Sequence, residues 1–184
     1  MKKLIMSLMT LAAMLGIVGC TPSAEQINKT AMAIGYAAGL VANQTNIKDD
    51  ARNAIVTVLN EVRTCIPLAG ESFADAWKPV IKAKVAELVE AGKIDAATGE
   101  VVVSVSLMAA QAVDYLFDVR YPAAKKYTEF VAAGASGAID GFLAVFKPVN
   151  CNGCDDCDDC IVRARVKNDY DKEAYEWFKK NLNK

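Results

Sequence analysis

Four thiols and four carboxylates fall within ten residues at Cys151-Asn-Gly-Cys154-Asp-Asp-Cys157-Asp-Asp-Cys160, the one stretch of this 184-residue chain with unusual chemistry. Four cysteines in an oxidising compartment pair into two disulfides, with three possible connectivities. A disulfide-laced turn is the favoured reading. The same four sulfurs can also complete a tetrahedral zinc or copper shell without any histidine, and the chain has none. Against metal, structural zinc sites draw paired cysteines from separated knuckles, and one continuous ten-residue wrap is cramped by comparison.

The first three cysteines resemble a ferredoxin-type iron–sulfur loop. The fourth follows after two residues instead of three, and Ile161 stands where that family has proline, so a cluster is the least favoured of the three readings. The Asp pairs do not fit an EF-hand, which needs oxygens at alternate positions, a central Gly and a closing Glu. Their expected role is solvation, offset by Arg163, Arg165 and Lys167. Neighbouring negative charge raises a thiol pKa, so these cysteines read as binding or bridging groups and not as activated nucleophiles. Cys65, beside Ile66-Pro67, is a candidate for an additional disulfide to the tail or to another molecule; the ordinary alternative is a small buried side chain.

The sixth cysteine has a different context. Met1-Lys2-Lys3 is followed by an apolar run from Leu4 to Val18 and then by Gly19-Cys20. A basic start and about fifteen apolar residues make a signal peptide and not a permanent span. Ile17-Val18-Gly19-Cys20 resembles the lipobox of bacterial lipoproteins, with Ile where Leu is commonest and a bulkier Val before the Gly. The resemblance covers residues 1–20 and implies cleavage before Cys20, acylation of its thiol (the palmitate-labelled position) and retention at the cell envelope. Thr21, in place of the Asp that retains such proteins in the inner membrane, implies the outer membrane in a Gram-negative cell. Only Thr21, Pro22 and Ser23 separate Cys20 from helix-forming sequence, so at about 3.5 Å per extended residue the body sits against the membrane.

Without residues 1–19, 165 residues remain, enough for one domain, and the basic residues fall from 21 to 19 against 22 acidic ones. The resulting net charge of −3 argues against a nucleic-acid partner. Glu61, Asp75 and Asp114 are the carboxylates on which an enzyme would have to be built. Scattered carboxylates are ordinarily solvated faces, and the chain shows neither a phosphate-cradling glycine loop nor a nucleophile motif. The sequons Asn28-Lys-Thr30 and Asn43-Gln-Thr45 are read as chance matches.

The elements behind these residues carry a helical apolar period. A first helix starts at Ser23 and continues through Ile27, Ala31, Ile34, Ala38 and Val41. A second follows Asp49 or Asp50 with Ala51, Ile55, Val58, Leu59 and Val62 on one face, closed by Pro67 and Gly70. A third spans about Ser72 to Ala91, carries Phe73, Trp77, Val80, Ile81, Val85 and Leu88, stops at Gly92, and contains Pro79 as a kink or a true start. Asp95 caps a fourth through Val102, Val105, Met108, Ala109, Ala112, Leu116 and Val119, despite the strand preference of Val101-Val102-Val103. A fifth, roughly Ala123 to Phe146, is apolar nearly all round with Asp140 its one charge after Phe130, which predicts a central buried helix. Gly35/Gly39 and Gly137/Gly141 leave flat stripes through which the first and fifth helices can approach each other; the ordinary alternative is that Ala-rich segments collect Gly without consequence. About Asp169 to Leu182 is amphipathic, with Tyr170, Ala174, Trp177, Phe178 and Leu182 on the face expected to dock on the domain.

The expected architecture is all-α: a bundle of about five helices, a Cys-rich loop and a C-terminal amphipathic helix. The expected boundaries are 1–19 signal peptide, 20–23 anchor and tether, 24–148 bundle, 149–167 Cys/Asp-rich segment and 168–184 terminal helix. The expected function is a non-enzymatic, lipid-anchored scaffold or interaction module, without cofactor, whose partners are the membrane and an envelope protein. The alternative is an exported metal-binding or thiol-redox-responsive lipoprotein using Cys151, Cys154, Cys157 and Cys160.

Overall fold

The computed structural model describes residues 22–45, 47–67, 71–146 and 170–181. It is all-α, with six α-helices among the described residues: α1 (Ala24–Asn43), α2 (Asp49–Val62), α3 (Phe73–Glu90), α4 (Ala96–Tyr115), α5 (Thr128–Phe146) and α6 (Lys172–Asn181). The signal segment, Cys20, Gly70, the cluster from Cys151 to Cys160 and Leu182 lie outside the described residues.

The helices begin and end where local chemistry satisfies their free amides and carbonyls. Ser23 caps α1 in a reciprocal box: its hydroxyl accepts from the Gln26 amide and the Gln26 side chain accepts from the Ser23 amide. Ser72 and Asp95 cap α3 and α4 through the amides of Asp75 and Thr98. The α3 terminus is a Schellman turn, with Gly92 at φ 66° and the Lys93 amide donating to Leu88 at 3.0 Å. Pro79 is exposed inside a continuous α3, so it does not mark the start of the helix.

Three sequence expectations are corrected. The N-cap of α2 is Lys48, with no side-chain bond, while Asp49 and Asp50 occupy the first turn where the helix dipole favours them. The fifth helix does not start at Ala123: Pro122–Ala124 is a short 3-10 turn, and α5 starts at Thr128. Val119, expected in the core, is 53% exposed. The reason is a π-helical turn over Leu116–Arg120, closed by the Tyr121 amide on the Leu116 carbonyl at 2.8 Å. A wider turn advances each residue by less than 100°, which keeps Leu116 and Phe117 inside and rotates Val119 outward.

The expected glycine seam is present, and α1 against α5 is the most extensive helix contact among the described residues. The backbones touch. A Cβ built on Gly35 would stand 2.0 Å from the Ala138 carbonyl oxygen, and one on Gly141 would stand 2.0 Å from that of Met32. Gly137 faces the Asn28 carbonyl in the same manner. Residue numbers rise together along the seam, from Asn28–Gly137 through Met32–Gly141 to Gly39–Val145, so α1 and α5 run parallel. The Asn28 amide group fastens the start by donating to the Ala133 carbonyl at 3.0 Å.

Around this pair, α4 packs on α1, α2, α3 and α5, and α6 lies on α1. The α5 helix is central as expected, with Val131, Ala135, Ala138, Ile139, Phe142 and Leu143 all buried. It and the Ala96–Arg120 segment are long and apolar enough to cross a membrane by length and composition, and 67% and 50% of their apolar windows are buried within the bundle. The one charge of α5 beyond Glu129, Asp140, is an ion-pair partner of Arg63 at the end of α2. The docking of α6 also follows the expectation: Ala174 and Phe178 are buried, and Trp177 packs on Tyr115 with ring centroids 5.1 Å apart. Arg120 clamps the start of α6 through Asp171 at 2.7 Å and Glu173 at 3.0 Å.

Candidate interaction surfaces

The candidate site residues of the sequence divide into two groups. Cys20, Cys151, Cys154, Cys157 and Cys160 lie outside the described residues, and so does their geometry. Cys65 is half-buried against the core, and its carbonyl accepts from the Trp77 indole at 2.7 Å. Among the described residues no three His, Cys, Asp or Glu side chains converge closely enough to hold a metal ion.

The three carboxylates considered for catalysis are each tied into structure. Glu61 lies 3.8 Å from the Lys84 ammonium, which also pairs with Glu87 at 3.0 Å. Asp75 accepts from the Ser72 hydroxyl at 2.8 Å, inside the cap of α3. Asp114, on α4, reaches across to the same helix start and accepts from the amides of Phe73 at 2.7 Å and Ala74 at 3.0 Å. Ser72 takes the third amide of α3 and Asp114 the first two, so side chains from two helices share the cap. Burial, with a smaller push from the nearby Asp118 carboxylate, raises the Asp114 pKa above its usual 3.8 against the opposing pull of the two amides. Below the carboxylate, Phe73, Trp77 and Phe117 form an aromatic layer, with Phe73–Trp77 centroids 5.2 Å apart at 89°.

The other end of the α3–α4 pair carries a groove. Val85 and Val89 of α3 face Gly99, Val103 and Leu107 of α4 across a shallow, mainly apolar groove of about 590 Å³, with Lys82, Glu90 and Glu100 supplying charge. Gly99 is part of the lining, and the Val85 and Val89 methyls close over it, 3.1 and 3.2 Å from where a Cβ would stand. The lining suits an apolar side chain or chain segment better than a charged small molecule. Sequence reasoning missed this surface. Its one legible signal was a glycine in the first turns of α4, where helix propensity alone would favour alanine.

The groove and the start of α1 occupy different parts of the molecule. Thr30, in the second turn of α1, bonds to Tyr121 just past α4, at 3.0 Å between hydroxyls. The groove lies along the first half of α4, centred about twenty residues earlier, or roughly 25–30 Å back along the helix axis.

No family model, curated protein or solved structure matches the chain.

Proposed function

We propose that this protein is a lipid-anchored, non-enzymatic helical module that holds an envelope partner at the membrane surface. One observation carries the reading. The helix whose cap, Ser23, lies three residues after Cys20 is the one packed backbone to backbone into α5, so a load on the lipid passes directly into the core. Two or three acyl chains give firm retention where one gives only reversible binding. The apolar groove between α3 and α4, well along α4 from the start of α1, is the surface best suited to the partner.

The test is palmitate labelling and membrane fractionation of the natural chain and of Cys20→Ser. Loss of both label and retention supports the reading. A labelled, membrane-bound Cys20→Ser protein overturns it.

A second reading, metal or redox response through Cys151, Cys154, Cys157 and Cys160, is favoured by the density of thiols and carboxylates in that segment. Metal content and free-thiol count of the purified mature protein separate the two. One equivalent of zinc or copper with four protected, reduced thiols moves metal handling ahead of scaffolding, whereas two disulfides and no metal leave those cysteines a structural staple.

A further inference from the structure

The tether and the turn between α4 and α5 lie at one level of the molecule. Asn28 meets Ala133, an offset of 105 residues, and the parallel seam keeps that offset approximately along its length. Applied to Ser23, it gives position 128, where α5 begins. Residues 125–127, immediately before α5, are therefore level with the start of α1. Cys20 stands three residues before Ser23, a covalent reach of about 10 Å.

The surface at that level has a distinctive composition. Val119 at 53% and Tyr127 at 44% are the two most exposed large apolar residues among those described, and both belong to this turn. The exposed Pro122 and Ala123 lie between them, and Tyr121 and Phe130 are half-exposed. Tyr127 packs edge-on against Phe130 at 5.4 Å, and the Lys126 ammonium sits 5.1 Å from the Tyr127 ring centre. Tyrosines with an apolar body and a polar tip, flanked by a long cationic side chain, are the residue types that settle at the boundary between headgroups and acyl chains.

The charges at this end cancel. Lys29 pairs with Glu25 at 2.6 Å and Lys125 with Asp118 at 2.8 Å, while Lys126 and Glu129 offset one another. Arg120 is committed to Asp171 and Glu173. Attraction to this face is therefore apolar and interfacial, with no requirement for anionic lipid.

We propose that the α4–α5 turn, through Val119 and Tyr127, is a second membrane contact that seats the bundle on the bilayer carrying its own lipid. The proposal rests on the lipid-anchor reading, and the committed occupant is the bilayer interface. Such a seat fixes the orientation of the body, so that α4 leads away from the membrane and its groove faces outward.

The experiment uses the full lipidated chain in zwitterionic phosphatidylcholine vesicles, with Tyr127→Trp or Val119→Trp as reporter and Val101→Trp, an exposed position on the first half of α4, as control. Each is read against the unsubstituted protein, and circular dichroism confirms the fold. Brominated phosphatidylcholine should quench the indole at 127 or 119 several-fold more than the one at 101, at low and high salt alike. Flotation with the vesicles but equal, weak quenching at the three positions leaves the anchor standing and overturns the seat. So does quenching that appears only after anionic lipid is added, or loss of exposure at 127 and 119 through self-association without vesicles. If the chain is not acylated and does not float, the anchor reading fails. The seat is then judged by titrating the same reporters with excess vesicles: a blue shift confined to 127 and 119 supports it, and its absence overturns it.

Discussion

Two helix pairs in this bundle are built on opposite packing logic. Where α1 meets α5, glycines let the carbonyls of Ala138 and Met32 stand where side chains would otherwise begin. Where α3 meets α4, a shared cap and an aromatic layer close one end, while Gly99 and the flanking valines line an open groove at the other. A glycine therefore admits different neighbours in the two pairs. In the first it lets a backbone carbonyl approach; in the second it lets valine methyls close over the helix. The difference lies in what its missing Cβ faces, a backbone that cannot yield or the tips of side chains that can.

The sharpest way to break this contrast is to add one carbon to the seam. Gly141→Ala or Gly35→Ala gains about 1 kcal/mol of helix propensity. It also forces apart two backbones that leave a Cβ only 2.0 Å from a carbonyl oxygen. Overpacking of that kind should dominate, with a net loss of about 3 kcal/mol in urea denaturation. A neutral Gly141→Ala would mean that α1 and α5 do not pack as described.

The closed end of the other pair should rank next. Asp114→Ala removes the acceptor of two part-buried amides at the start of α3, one of them that of Phe73, which belongs to the Phe73–Trp77–Phe117 layer. Unsatisfied, partly buried donors and a lost cap together predict a loss of about 2 kcal/mol. Thermal unfolding measures it, and a shift no larger than that of a surface Asp→Ala control such as Asp50→Ala would remove the shared cap from the account.

The open end should respond least to mass. Gly99→Ala places a Cβ 3.1 Å from a Val85 methyl and 3.2 Å from a Val89 methyl, both of which border the groove and have room to move. A propensity gain of about 1 kcal/mol should nearly offset that crowding, leaving stability within about 1 kcal/mol of the natural chain while the groove becomes shallower. A loss as large as that of Gly141→Ala would erase the distinction between the two pairs.

How much of this was legible in the sequence depended on the range of the interaction. Helix starts at Ser23, Ser72 and Asp95, the stop at Gly92, and the buried faces of α2 and α6 follow from contacts within a turn or two, and all are readable. The glycine spacing named the pair α1 and α5, yet the parallel register came only from three-dimensional packing. Asp114 looked like a solvated carboxylate because its partner amides lie 41 and 40 residues away. Val119 was misplaced because periodicity assumes 100° per residue, and the π turn at Leu116–Arg120 breaks that assumption without any Pro or Gly to announce it. The groove went unseen for a related reason: patterning reports what is apolar, and a groove is defined by where two apolar faces fail to meet.

The smallest expected effect tests the electrostatics of the closed end. Burial raises the Asp114 pKa above 3.8, so its protonated form is the better tolerated one in the folded state. By linkage, the stability this carboxyl contributes is fully present below 3.8 and is lost as pH rises through the raised folded-state pKa. Asp114→Asn has a side chain of similar shape that still offers one oxygen and does not titrate. The stability of the natural chain, measured relative to Asp114→Asn by denaturant unfolding, should therefore fall as pH climbs past 3.8 and level off above the folded pKa. The opposite slope would mean that the two amides stabilise the charge more than burial penalises it. Asp114 would then be an anionic cap, holding the closed end of α3–α4 most firmly at neutral pH.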